Sequence, residues 1–172
     1  MEKAEKKSLF DRLKRKKADE TPIPPAEPPL CVIRPFDKKD YCTLSLLMNG
    51  FKQAVGEEPL TQLEWASLRT GIEADCITYY IAWQGERAVG MYSLCRGFSS
   101  FKCAPCGIFE DFYVLPEERG TGVARMLAEH AADTVRSWSG RTLTVSCAAC
   151  DREMYGALGF ADEIGITLSR LL

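Results

Sequence analysis

The chain has 172 residues, 46% hydrophobic and 27% charged, which is the composition of a globular protein and the length of one ordinary domain plus a tail. A formal charge of -2 gives no bulk attraction for nucleic acid, and no run nears the ~18 apolar residues of a membrane span. Met1–Glu20 is charged throughout, without the apolar stretch of a secretory signal, so the eight cysteines are expected to be reduced thiols in a cytoplasmic protein.

The charge is uneven along the chain. Met1–Glu20 carries eight Lys/Arg against five Asp/Glu, and five of the nine prolines then fall within Pro22–Pro29. Residues 1–29 therefore read as a charged, largely disordered tail with a semi-rigid, polyproline-like linker, and residues 30–172 as the folded domain. Within the tail, Ser8 and Asp11 have the spacing of a capping box before Leu9, Phe10 and Leu13, which bury too little area to hold a helix.

From residue 30 the patterning alternates. Cys31–Pro35 reads as a short strand. Asp40–Val55 and Leu60–Ile72 repeat apolar residues at helical spacing. Ile77–Trp83 and Ala88–Cys95 flank Gln84-Gly85-Glu86 and predict a hairpin, and Gly107–Leu115 is a third long strand. The clearest helix is Thr121–Trp138, with Val123, Met126, Leu127, Ala131, Val135 and Trp138 recurring at three and four. Arg141–Cys147 is a strand, Arg152–Leu158 a short helix stopped at Gly159, and Ile164–Leu171 a last strand. The order β-α-α-β-β-β-α-β-α-β gives an α/β (α+β) class with a mixed sheet. Its strand–helix–strand crossover should leave Gly107–Leu115 and Arg141–Cys147 parallel.

The segment Glu110-Asp111-Phe112-Tyr113-Val114-Leu115-Pro116-Glu117-Glu118-Arg119-Gly120-Thr121-Gly122-Val123-Ala124 carries the most chemistry. A strand ends, a loop turns, and a helix opens on two glycines. Unpaired N–H groups at a helix start attract anions, and glycines let a phosphate approach the backbone. A turn that simply needs glycine is the plain alternative. No Gly-Lys-Ser/Thr follows, so this is not a P-loop, and the third glycine of a dinucleotide fingerprint is absent.

Arg119-Gly120-Thr121-Gly122-Val123-Ala124 resembles the Arg/Gln-x-x-Gly-x-Gly/Ala signature of the GNAT superfamily of acetyl-CoA-dependent N-acetyltransferases. Glu110–Pro116 is similar to the strand that precedes that signature. Met154-Tyr155-Gly156-Ala157-Leu158-Gly159-Phe160 is similar to the family's closing Tyr-x-x-Leu-Gly-Phe, and Glu110-Asp111-Phe112 also resembles the polyamine acetyltransferase branch. The resemblance spans about residues 30–172. It implies a mixed, mostly antiparallel sheet with helices on both faces and a central parallel strand pair splayed around the cofactor.

It also implies roles. The amides of Gly120, Thr121, Gly122, Val123, Ala124 and Arg125 would cradle the CoA pyrophosphate, with Arg119 adding positive charge nearby. Phe112, Tyr113 and Val114 would line the acetyl and pantetheine arm, between Val114 and Cys147, and the Val114 amide would polarise the thioester carbonyl. Glu110 would take a proton from the attacking amine and Tyr155 would protonate the departing thiolate. Simpler structural readings stand beside these, a strand carboxylate paired with an arginine for Glu110 and a boundary aromatic for Tyr155. Strand alternation turns Asp111 to the face opposite Glu110 unless a bulge intervenes. One departure stands out: many members carry asparagine seven residues before that tyrosine, and here the residue is Ala148, with Asp151 or main-chain groups as substitutes.

Two pairs, Cys103-Ala-Pro-Cys106 and Cys147-Ala-Ala-Cys150, could in isolation suggest a zinc or redox centre. The strand reading instead places them at opposite sheet edges, ~20 Å or more apart against a Zn–S bond of ~2.3 Å, so no metal site is expected. His130, the only histidine, should be a packed or boundary residue. Gly50–Asp75 carries Glu57, Glu58, Glu64, Glu73 and Asp75 against Lys52 and Arg69, either a mildly acidic mouth suited to a cationic amine or a solvated helix face.

The expected activity is transfer of an acetyl group from acetyl-CoA, as co-substrate, to a primary amine by direct attack, with small-molecule amines or polyamines favoured. The expected partners are that amine and, as in many family members, a second copy of the chain; nucleic acid and an integral membrane segment are not expected. The alternatives are a catalytically inactive acyl-CoA-binding module and a thiol-based zinc or redox protein.

Overall fold

The computed structural model describes residues 30–165 and residue 170. The charged tail, the linker and most of the expected last strand lie outside the described residues. The remaining elements follow the expected order. They are β1 (Cys31–Pro35), α1 (Tyr41–Ala54), α2 (Gln62–Glu73), β2 (Thr78–Gln84), β3 (Arg87–Ser99), β4 (Ala104–Val114), α3 (Val123–Ser137), β5 (Thr142–Val145) and α4 (Arg152–Ala157).

The five strands form one sheet in the order β1-β2-β3-β4-β5. Each of the first three pairings is antiparallel and the β4–β5 pairing is parallel, as the right-handed crossover through α3 requires. The β3–β4 hairpin is longer than expected. Its ladder runs out to Ser99 opposite Ala104, and Cys103 takes a left-handed φ of 49° at its tip. Gly97 and Ser99 lie beyond the expected strand end at Cys95, yet antiparallel pairing carries them as strand.

Each face of the sheet carries its own core. On one, the α3 stripe of Val123, Leu127, Ala131 and Val135 packs against Ala82, Tyr92, Leu94, Phe109 and Val114. On the other, Leu44, Leu47 and Met48 of α1 pack against Tyr79, Ile81, Met91 and Tyr113. Full burial of a side chain of Leu or Met size contributes roughly 1.5–3 kcal/mol, so these two stripes fix both helices to the sheet. The approach of α3 is close: a Cβ on Gly107 would collide with the Val135 side chain and lie 3.0 Å from Leu143 Cδ1. In contrast α2 has no buried residue and rests on the second core through half-buried Trp65, Leu68 and Ile72. Among the described residues no helix is long and apolar enough to cross a membrane.

Candidate active site

The strand β4 ends at Val114, a 3₁₀ turn spans Pro116–Glu118, and α3 begins at Val123, two residues later than the sequence suggests. The delay comes from Gly120 and Gly122, whose φ values of +82° and +98° are left-handed and which have open space where a Cβ would stand. Helical hydrogen bonding begins only with Met126, whose N–H reaches the Gly122 carbonyl at 3.1 Å. Thr121 N–H makes a long 3.4 Å contact to the Glu118 carbonyl, and Gly122 caps the helix with no side chain. The N–H groups at the start of α3 thus face outward over bare glycines, the arrangement that binds oxyanions. Around it, Arg87 holds Glu117 and Glu118 at 2.6 and 2.7 Å, keeping both carboxylates engaged beside the turn.

The second component is an unpaired strand edge. The β4–β5 ladder covers only Cys106–Phe109 against Thr142–Val145, so residues 110–114 have no strand partner on that side. Leu115 N–H points the other way, to the Val89 carbonyl at 3.0 Å. By alternation the Val114 N–H faces the open edge. The Val114 carbonyl on the same edge accepts from Arg119 Nε at 3.3 Å, which anchors that guanidinium beside the gap. The opening therefore begins just after Phe109 and Val145, so Val114 and Cys147 both lie beyond the paired stretch.

Phe112, Tyr113 and Val114 do not present their side chains together. Phe112 packs on Phe109 and Tyr155, with centroids 5.3 and 6.0 Å away, and Val114 joins the α3 core. Tyr113 is buried on the other face under α1, where a Cβ on Gly50 would sit 2.7 Å from its hydroxyl oxygen. What the three residues share along the gap is backbone.

The bulge left open by the sequence is present. Met91 pairs with Tyr113 and Ser93 with Glu110, so Asp111 and Phe112 together oppose the single residue Tyr92, and Asp111 takes φ +49°. The extra residue brings Asp111 to the same face as Glu110. Asp111 Oδ2 accepts from Tyr79 Oη at 2.6 Å and from Ser93 Oγ at 2.9 Å, while the exposed Glu110 lies 3.8 Å from Cys95 Sγ. Burial, helped by the Asp111 carboxylate, pushes the Tyr79 hydroxyl far above the ordinary tyrosine range, so it remains a donor. Tyr79 and Ser93 escaped the sequence reading. The signal for the bulge was available in Phe109 and Phe112: two apolar residues three apart in a strand can both face a core only if a residue is inserted between them.

Tyr155 stands across the gap, on the Phe112 side. It is half-buried between Phe112 and Phe160, and burial, with Cys147 and Asp151 nearby, pushes its hydroxyl up to about 12. Arg125 Nη2 donates to the Ala157 carbonyl at 3.4 Å, tying α4 to the start of α3. Ala148 is exposed at the entry to the 3₁₀ turn Ala149–Asp151, and Asp151 precedes α4 without capping it by its side chain.

Several other sequence candidates resolve into structure. All eight cysteines are free thiols, and among the described residues no group of three or more His, Cys, Asp or Glu could hold a metal. Cys106 pairs with Thr142, five residues before Cys147, which separates the two Cys pairs by ~16 Å at strand rise. His130 Nδ1 lies 2.7 Å from Tyr92 Oη, so it is a packed residue. The acidic mouth of 50–75 is largely engaged locally: Glu57 pairs with Lys52, Glu64 completes a capping box with Thr61, and Glu73 pairs with Lys38.

A family model described as the acetyltransferase (GNAT) family matches residues 43–160. No curated protein matches the chain. Solved structures of the same fold include a probable acetyltransferase, 21% identical with a TM-score of 0.72, covering 82% of this chain and 97% of that one. A predicted acetyltransferase from Clostridium acetobutylicum, solved with acetyl-CoA, is 15% identical with a TM-score of 0.68, covering 82% and 96%. An aminoglycoside acetyltransferase from an uncultured soil metagenomic sample, solved with sisomicin, is 11% identical with a TM-score of 0.71, covering 83% and 95%. With a mixed sheet opened beside a glycine-led helix and a family match over most of its length, this chain belongs to the acetyltransferase (GNAT) family of acyltransferases.

Proposed function

We propose that the chain moves an acetyl group from acetyl-CoA to a primary amine by direct attack, with small cationic amines as acceptors. The observation that carries this reading is the open β4 edge leading to the bare N-terminus of α3. The amides of Gly120 to Arg125 are suited to hold the diphosphate, and Arg119 adds charge beside them. The edge from Phe112 to Val114 can pair with the amide-bearing arm of the donor as a strand would. The Val114 N–H then lies where it can donate to the thioester oxygen, a role worth roughly 10²–10³ in rate.

In the transfer, the acceptor nitrogen forms a bond to the acetyl carbon as the carbon–sulfur bond breaks. Glu110 takes the proton that the ammonium gives up, and its exposure lets that proton pass to water. Tyr155 gives its hydroxyl proton to the leaving sulfur; with its ionisation pushed up to about 12 it holds that proton at neutral pH. The two groups flank the gap from opposite faces of β4, which separates proton removal from proton delivery. Ala148 supplies no side-chain amide at the family's asparagine position, so the donor arm must rely on main-chain groups there.

The test is calorimetric binding of acetyl-CoA together with acetyl-CoA consumption over a panel of amines. Micromolar binding and turnover with at least one amine are expected. Binding without turnover across the panel would favour an inactive CoA-binding module, and the absence of both would overturn the reading.

A further inference from the structure

The β3–β4 hairpin runs past its neighbours. The β2 strand stops opposite Leu94 and β5 opposite Cys106, so Cys95–Ser99 and Ala104–Pro105 continue as a two-stranded projection. Its tip carries Phe98 and Phe101, 69% and 90% exposed, although every other phenylalanine among the described residues is at least half-buried. Nothing in the fold needs two rings there, and only Lys102 Nζ stands over one of them, 5.6 Å from the Phe101 centroid. Cations gather at the base. Arg96 stacks over Trp138 at 5.2 Å, and the Arg141 amide donates to the Pro105 carbonyl at 3.1 Å, which brings the segment between α3 and β5 beside the projection. Residues 95–109 and 134–150 hold Arg96, Lys102, Arg136 and Arg141 and no Asp or Glu, whereas the rest of 30–172 holds ten Lys/Arg against eighteen Asp/Glu. Arg136 pairs with Asp133, but Arg96, Lys102 and Arg141 have no ion pair among the described residues.

We infer that this tip docks on an anionic lipid surface, with Phe98 and Phe101 entering the headgroup boundary and Arg96, Lys102 and Arg141 meeting the lipid phosphates. Exposed rings beside cations suit that boundary, where the apolar part leaves water while the charges stay wet. Each cation held near an anionic bilayer raises binding roughly fivefold, so charge and apolar contact together give a reversible attachment. A second copy of the chain is a poorer occupant, because two such tips would bring like charges together. Single-stranded nucleic acid also stacks on aromatic rings, but along a groove that follows its backbone, whereas these rings cap a projecting turn. Docking leaves the start of α3 open to solvent, since Ala104 and Val114 stand at opposite ends of β4, ~30 Å apart at strand rise.

The experiment is co-sedimentation of the full chain with vesicles of phosphatidylcholine, alone or with ~30 mol% phosphatidylglycerol, for the wild type, F98S/F101S and K102Q/R141Q. Phe98 and Phe101 are exposed, so replacing them leaves the fold intact, which an unchanged melting temperature checks. The wild type should bind the anionic vesicles at least about tenfold more tightly than the neutral ones, and the binding should weaken as salt is raised. F98S/F101S should lose at least about tenfold, and K102Q/R141Q at least about fivefold, in affinity for the anionic vesicles. Failure of the wild type to bind them would overturn the assignment. So would equal binding by F98S/F101S, since the basic residues of 1–29, present in every variant, would then account for attachment. Binding of oligothymidylate in place of the vesicles, or a dimer that dissociates in F98S/F101S without any vesicle binding, would overturn it in favour of nucleic acid or a second copy.

Discussion

His130 is the single histidine of the chain, and burial holds its ionisation below the ordinary imidazole value, with Asp133 opposing only in part. Its Nδ1 shares a hydrogen bond with Tyr92 Oη at 2.7 Å. Since the unfolded chain binds the proton more readily, the stability gained from this site is full above about pH 6.5 and declines as pH falls below it. The melting temperature should therefore drop on acidification from pH 7 to 5.5, and His130→Gln should flatten that slope; an unchanged slope in the variant would remove His130 as its source. Tyr155 differs in that its phenol, pushed up to about 12, remains protonated through the working range, as the proposed proton donor must. Tyr155→Phe should lower kcat roughly 10²-fold while acetyl-CoA affinity, measured by calorimetry, changes less than about threefold. A loss confined to affinity would assign the tyrosine to packing.

At the scale of elements, helix ends decide both stability and binding. The turn into α1 is fixed by Asp40, 5% exposed, which accepts from Arg34 at 2.6 and 3.0 Å and from the Asp37 amide at 3.1 Å. These bonds favour the ionised form and hold the Asp40 carboxyl below the usual carboxylate range. Asp40→Asn should cost about 1.5–3 kcal/mol by chemical denaturation at neutral pH, and the difference should shrink as acid protonates the wild-type carboxylate. The turn into α3 has no such cap. Gly122→Val forces a β-branched residue to φ +98° and crowds the anion seat, so acetyl-CoA affinity should fall at least about tenfold. Near-normal affinity would move the diphosphate elsewhere.

At the scale of the whole molecule, periodicity made most of the architecture legible. The stripe Val123–Leu127–Ala131–Val135 marked α3, and the chain order allowed only a parallel β4–β5 neighbour. Gly120 and Gly122 marked the turn before that helix but not its first residue, since their φ above +80°, nearly glycine's alone, delays the start to Val123. Strict alternation failed at Asp111, since a bulge is set by what two strands must bury together, and Tyr79 and Ser93 come from strands 32 and 18 residues away. The acidic residues of 50–75 left two readings open for a related reason: composition counts charges, and does not show that Lys38, Lys52 and Thr61 engage three of them.

The shortness of β5 has a further consequence. With only four residues in register on β4, the strand is secured by few cross-strand bonds, and nothing among the described residues extends its ladder along the gap. Local opening of this edge should be much easier than global unfolding, so its amides should exchange with deuterium early. If acetyl-CoA lies along β4 as proposed, it closes that seam, and exchange at residues 142–147 should then slow more than anywhere in the first hairpin. On that proposal the sheet is finished by its own reagent, and this border becomes firm only while the protein is loaded.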